Sequence, residues 1–108
     1  MGQVLCSTGA LIGRPNNRNY KLLESLSEKL SCDGYEFMMY DTWYSKADEI
    51  ACYLQNIGLF TPVMHCEKHI GEIASRNETD EALRLFTINC KIAEKIHAKN
   101  LYCTFGMI

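Results

Sequence analysis

The sequence predicts an α/β fold built on a parallel sheet. Short apolar runs begin near residues 4, 35, 60 and 100, and an amphipathic stretch of helical period lies between each pair. This alternation of strand and helix is the pattern of right-handed crossover units. The runs are also nearly continuous in apolar residues, as expected of strands covered on both sides.

The first run is Val4-Leu5-Cys6-Ser7-Thr8, followed by a loop from Gly9 to Asn19 that holds the turn formers Gly13, Pro15 and Asn16-Asn17. Leu22, Leu23, Leu26 and Leu30 then recur at helical spacing, with Glu24, Glu28 and Lys29 opposite them. Cys32-Asp33-Gly34 is expected to close this helix, with Gly34 in the left-handed conformation. Tyr35 to Tyr40 is short and aromatic-rich, hence a strand. A second helix is expected to open near Ser45, with Asp48 as a weak capping partner. Ala47, Ile50, Ala51, Leu54 and Ile57 form its stripe, and Gly58 ends it.

Phe60 to Cys66 reads as the third strand, with Pro62 tolerable near its start. Residues 67–77 read as a polar loop containing Gly71. The third helix starts at Thr79-Asp80-Glu81 and carries Lys95 and Lys99 near its end, matching the helix dipole. Its stripe is taken as Leu83, Phe86, Cys90, Ala93 and Ile96, widened by Leu85, Ile88 and Ile92. Leu101 to Phe105 is the fourth strand.

Composition narrows the function classes. The chain has 108 residues, 47% hydrophobic and 22% charged, and a formal charge of −2. This is a single-domain globular profile with no electrostatic case for nucleic acid or a membrane surface. No apolar run reaches the roughly 18 residues of a membrane span. No secretory signal is read at the N-terminus, so a cytoplasmic location is expected. The six cysteines, at 6, 32, 52, 66, 90 and 103, lack a C-x-x-C pair. They are expected as reduced thiols acting as small hydrophobes.

Two architectures suit the alternation: an open doubly wound sheet, or part of a (β/α)8 barrel. The turn Ser7-Thr8-Gly9-Ala10 has neither G-x-G-x-x-G nor a P-loop lysine. Polar residues cluster instead where strands end: Ser7, Glu36, Asp41, His65 and Glu67. A barrel builds its active site at those ends.

The third unit, Gly58-Leu59-Phe60-Thr61-Pro62-Val63-Met64-His65-Cys66-Glu67-Lys68, then Ile70-Gly71, then Asp80 to Phe86 and Ile88 to Glu94, resembles the sugar phosphate isomerase/epimerase family. These are the xylose isomerase-like TIM barrels, a group that includes apurinic endonuclease relatives. Gly34-Tyr35-Glu36-Phe37-Met38 fits as well, since the family often has an acidic residue there. The resemblance covers about residues 3–101. A whole barrel takes about 250 residues. The resemblance therefore implies the N-terminal half of one: a single domain, residues 1–108, with four parallel strands in the order 1-2-3-4 and three helices on one face.

The resemblance implies that His65, ending its strand, faces the active site and touches substrate or, in the endonuclease branch, zinc. Glu36 would point inward, where it suits polyol binding, and Glu67 follows on the loop as a substrate contact or a solvated charge paired with Lys68. The substrate-binding set that the resemblance implies is Glu36, His65 and Glu67, with no catalytic residue assigned. Trp43 and Tyr44 are candidates to stack on a sugar or to cap the rim. His69 carries little weight as a metal ligand, and His97 reads as a surface residue near a helix end.

The implied chemistry is metal-assisted isomerisation or epimerisation of a sugar or sugar phosphate. The family's cofactor is a divalent metal (Mn, Mg or Zn), but its carboxylate ligands come mostly from later strands. This chain is therefore expected to hold no metal and to be inactive alone. Thr104 stands where the family's fourth strand has a His; codons read one frame over can spell Leu-His-apolar-Trp, which favours a premature end. Alternatives are a half-barrel that dimerises into a binding module or a complete site, and an apurinic endonuclease-like role. A homodimer through open barrel edges is the expected assembly.

Overall fold

The computed structural model describes residues 4–12 and 19–103. Gly13, Pro15, Asn16-Asn17, Thr104 and Phe105 lie outside the described residues. The strands are β1 (Leu5–Ser7), β2 (Gly34–Met38), β3 (Val63–His65) and β4 (Asn100–Tyr102). They form one parallel sheet in the order β1-β2-β3-β4. This is the expected order, on a fold that is α/β in class.

Register decides which side chains share a face. Ser7 pairs with Glu36, Glu36 with Val63, and Val63 with Asn100. One step along, Phe37 pairs with Met64 and Met64 with Leu101; one further, Met38 pairs with His65 and His65 with Tyr102. Side chains alternate across a sheet with period two, so the Phe37 row faces one way and the other two rows face the opposite way. Phe37 and Met64 are fully buried, and the main core is built on them with residues from the helices. Glu36, Met38, Val63 and His65 are only half-buried, and Tyr102 is 54% exposed. The apolar runs thus belong to strands packed on one face only, not on both as their composition implies.

The helices cover the Phe37 face. α1 (Thr8–Leu11) is a single turn capped by the Ser7 hydroxyl, which accepts from the Gly9 N–H. It replaces the start of the expected loop. Buried Thr8 accepts from the Met38 N–H through Oγ1 at 3.0 Å, tying α1 to β2. A 3-10 turn over Tyr20–Leu22 leads into α2 (Leu23–Ser27). Only Leu23 of the leucine stripe is buried; Leu30 is exposed, and the helix stops a turn earlier than the stripe predicts. Gly34 is not a left-handed cap. It is the first residue of β2, where an added Cβ would lie 2.7 Å from the Phe60 ring and 3.2 Å from the Phe60 carbonyl oxygen.

A 3-10 turn over Asp41–Lys46 precedes α3 (Ala47–Ile57). Lys46 occupies the N-cap position with no side-chain cap bond, so the Ser45–Asp48 pair does not form. Asp48 and Glu49 still lie at the positive end of the dipole. Gly58 ends α3 in the left-handed conformation, φ 66°, as the sequence predicts. Trp43, in the 3-10 turn, is 2% exposed, stacks on Phe37 and meets Tyr20 and Tyr40 edge-on. It is core and is not available to a sugar.

Two further departures matter for the site. Residues read as a loop contain α4 (His69–Ser75). Its Ile70, Ile73 and Ala74 pack on Leu85 and Phe86, so tertiary contact supplies what Gly71 takes from helix propensity. α5 (Thr79–Lys95) forms where expected and buries much of the expected stripe, Leu85, Ile92, Ala93 and Ile96 among it, but Leu83 lies outside the inward face and Asn89 within it. Ala82, Leu85, Asn89, Ile92 and Ala93 are buried, whereas Leu83 is 57% exposed.

Three substitutions check this packing by urea denaturation. Leu85→Ala is expected to cost about 2–5 kcal/mol and Leu83→Ala less than about 0.5 kcal/mol. Trp43→Ala is expected to cost about 3–5 kcal/mol. An equal effect at 83 and 85 would contradict the inward face of α5.

Candidate functional site

Two groups of polar side chains lie toward the carboxyl ends of β2 and β3. The first is on the helix-free face. Glu36 and His65 are diagonal neighbours there, each about a third exposed, with Glu36 Oε1 3.6 Å from His65 Nε2. Tyr102 flanks His65 from β4, ring centroids 5.7 Å apart. Glu36 is thus neither buried nor turned toward the helices. Its carboxylate and the imidazole stand side by side on an accessible sheet surface.

The second group begins at Glu67, two residues beyond the end of β3. Glu67 is 2% exposed, although its neighbour Lys68 is exposed. It is not a solvated loop charge. Its backbone N–H donates to Asn89 Oδ1 at 3.2 Å, which fastens the strand end to α5. Glu67 Oε1 accepts from the Tyr44 hydroxyl at 3.0 Å. Oε2 accepts from the His69 backbone N–H at 2.5 Å and lies 2.6 Å from His69 Nδ1. Asn89 Nδ2 donates in turn to the Tyr44 hydroxyl oxygen at 3.1 Å and to the Leu85 carbonyl at 2.8 Å. A carboxylate removed from water is costly unless its lone pairs are filled, and these donors fill them. Tyr44, which the sequence leaves between sugar stacking and rim, is one of those donors.

His69 is 41% exposed, and Asp41 Oδ2 lies 3.7 Å from its Nδ1. His69, Asp41, Lys68, Glu67, Cys66 and Met38 line a cleft of about 300 Å³. Met38 is the register partner of His65, so the cleft adjoins the helix-free face. The structure brings Glu36 and His65 together and sets Glu67 apart with His69. The roles of Asn89 and Tyr44 escape sequence reading because their partners lie 22 to 45 residues away. The one available signal is Asn89 itself, a polar residue in an apolar helix face. His97 is exposed, with φ 59°, just past the end of α5.

Among the described residues, no group of three or more His, Cys, Asp or Glu side chains could hold a metal ion. Glu36 and His65 are two donors, whereas a catalytic zinc site typically uses three protein ligands. The donor set therefore does not fit the divalent cation that the resemblance implies, and His69 belongs to the Glu67 network. All six cysteines are free thiols. Burial, with Cys103 alongside, pushes the Cys66 thiol well up, so it stays protonated. No described helix is long and apolar enough to cross a membrane.

Burial also pushes the phenols up. Tyr20, which also bonds Glu49, and Tyr35, beside Cys32, each reach about 12; Tyr44, with the Glu67 charge adding to burial, lies higher still. An unfolded tyrosine loses its proton near 10.0. These phenols therefore leave stability flat below that value and lower it above, because the unfolded chain then binds fewer protons. Urea midpoints should fall as pH rises past about 10. Tyrosinate absorbance from these three residues should appear only together with loss of the helical circular dichroism signal. No family model, curated protein or solved structure matches the chain.

Proposed function

We propose that this chain is a sugar isomerase/epimerase-like half-barrel whose helix-free sheet face takes a sugar or sugar phosphate. The observation that supports this reading is the Glu36–His65 pair, 3.6 Å apart and about a third exposed on the sheet face opposite the Phe37 core. An accessible carboxylate can accept from sugar hydroxyls. An imidazole can donate or accept at the same hydroxyl row, so the pair suits a polyol. The face also carries Met38, Val63 and the Tyr102 ring, apolar surface against which sugar C–H groups can lie, beside the polar Ser7 and Asn100 of the Glu36 row.

Metal-assisted isomerisation belongs to the proposal only as the chemistry of the whole family. Two donors do not make its metal site, so the chain alone is proposed to bind without turning over. A homodimer is proposed on a separate observation: β1 pairs only with β2 and β4 only with β3, leaving an unpaired edge at each end of the described sheet. A second copy could pair such an edge and cover the open face.

Binding is tested by following backbone amide shifts while adding ketose phosphates. Glu36→Gln and His65→Ala should each weaken binding by roughly tenfold, about 1.4 kcal/mol, without lowering the urea midpoint. Unchanged affinity in both variants would remove the pair from the site. Turnover of a ketose by the isolated chain with Mn²⁺ or Mg²⁺ would overturn the claim of inactivity. A clean monomer in sedimentation at micromolar concentration would count against the dimer.

A further inference from the structure

We propose that His69 is a proton-transferring residue of the cleft beyond β3, with Glu67 as the residue that holds and charges it, acting on a hydroxyl group of a small hydroxylated molecule. The dyad rests on its own geometry; only the choice of a sugar phosphate as probe rests on the function proposed above.

Glu67 Oε2 lies 2.6 Å from Nδ1 and accepts the backbone N–H of the same residue at 2.5 Å. Two contacts from one carboxylate oxygen fix both the start of α4 and the ring it carries. A carboxylate oxygen at Nδ1 selects the neutral ring that is protonated there, which leaves the lone pair on Nε2. Glu67 is 2% exposed, while the His69 side chain is 41% exposed, so the charge is behind the ring and the ring is at the cleft. This is the arrangement by which a buried carboxylate orients an imidazole and stabilises the imidazolium formed when it takes a proton. Tyr44 and Asn89 are positioning residues: Tyr44 occupies Oε1, and Asn89 holds both the Tyr44 hydroxyl and the Glu67 backbone.

In the step, the ligand O–H bond breaks as the Nε2–H bond forms. The electron pair stays on the ligand oxygen, and the new imidazolium is balanced by the Glu67 carboxylate. The reverse transfer returns the proton to a ligand oxygen, so nothing is oxidised or reduced. At 300 Å³ the cleft suits a small molecule, and exposed Lys68 on its lining can meet an anionic substituent.

The test is ¹⁵N-detected imidazole NMR on the full chain, alone and with ribulose 5-phosphate. The expected result is His69 as the Nδ1–H tautomer, with an Nε2 resonance that shifts on adding the probe. Glu67→Gln should abolish the tautomer preference, whereas Tyr44→Phe, which leaves the Glu67–His69 contact in place, should retain it. If Glu67→Gln does not fold, the wild-type and Tyr44→Phe spectra decide. An Nε2–H tautomer in the wild type overturns the proposal. So does a probe that shifts His65 but leaves His69 Nε2 unmoved, a result that would spare the function proposed above. Movement at His69 with no change at Glu36 or His65 supports the dyad and sinks the open-face reading instead.

Discussion

Among the described residues, the helices of the crossovers pack on the Phe37 side of the sheet. Parallel neighbours in the order β1-β2-β3-β4 require it if the connections share one hand. The Phe37 row is consequently buried under helices, and the Glu36 and His65 rows are left without a helix layer. The accessible pair, the cleft beside it and the unpaired edges all follow from that one-sided packing. A chain that crossed to the other face even once would bury Glu36 and His65 beneath a helix.

The second dependency is the buried carboxylate of Glu67. An unpaired charge at 2% exposure would cost several kcal/mol, so its partners are part of the fold and not an addition to it. Asn89 gives α5 a polar centre whose register must match the end of β3, and Tyr44 draws the 3-10 turn after β2 to the same point. His69 anchors the start of α4. The end of β3, α4, α5 and the 3-10 turn therefore meet at Glu67, through its carboxylate and its backbone N–H, with Leu85 buried and Leu83 exposed on α5.

Some local chemistry was legible, although the Gly34 cap and the Ser45–Asp48 pair did not form. Gly58 ends α3 because the left-handed position needs no side chain, and acidic residues open α3 and α5 because the dipole favours them there. The parallel alternation followed from the spacing of apolar runs. The reading failed where a distant partner intervened. Leu83 fits the helical period of the α5 stripe yet is exposed, while Asn89, whose partners are the Glu67 N–H and the Leu85 carbonyl, is buried in that face. Trp43 next to Tyr44 reads as a rim aromatic, yet stacking on Phe37 puts it in the core. Residues 67–77 are polar enough for a loop, and α4 forms because Ile70 and Ile73 find α5.

By itself, the sequence determined the class of fold, its parallel alternation and the presence of Glu36 and His65 in the strands, since hydrophobic period and strand polarity are local properties. Only the tertiary structure decided that Glu36 and His65 stand 3.6 Å apart on an accessible face, that Glu67 is buried, and that His69 is its partner. Those outcomes depend on the register between strands and on the rotation of α5. Register and helix rotation are settled by contacts between residues remote in the chain, which no window of sequence contains.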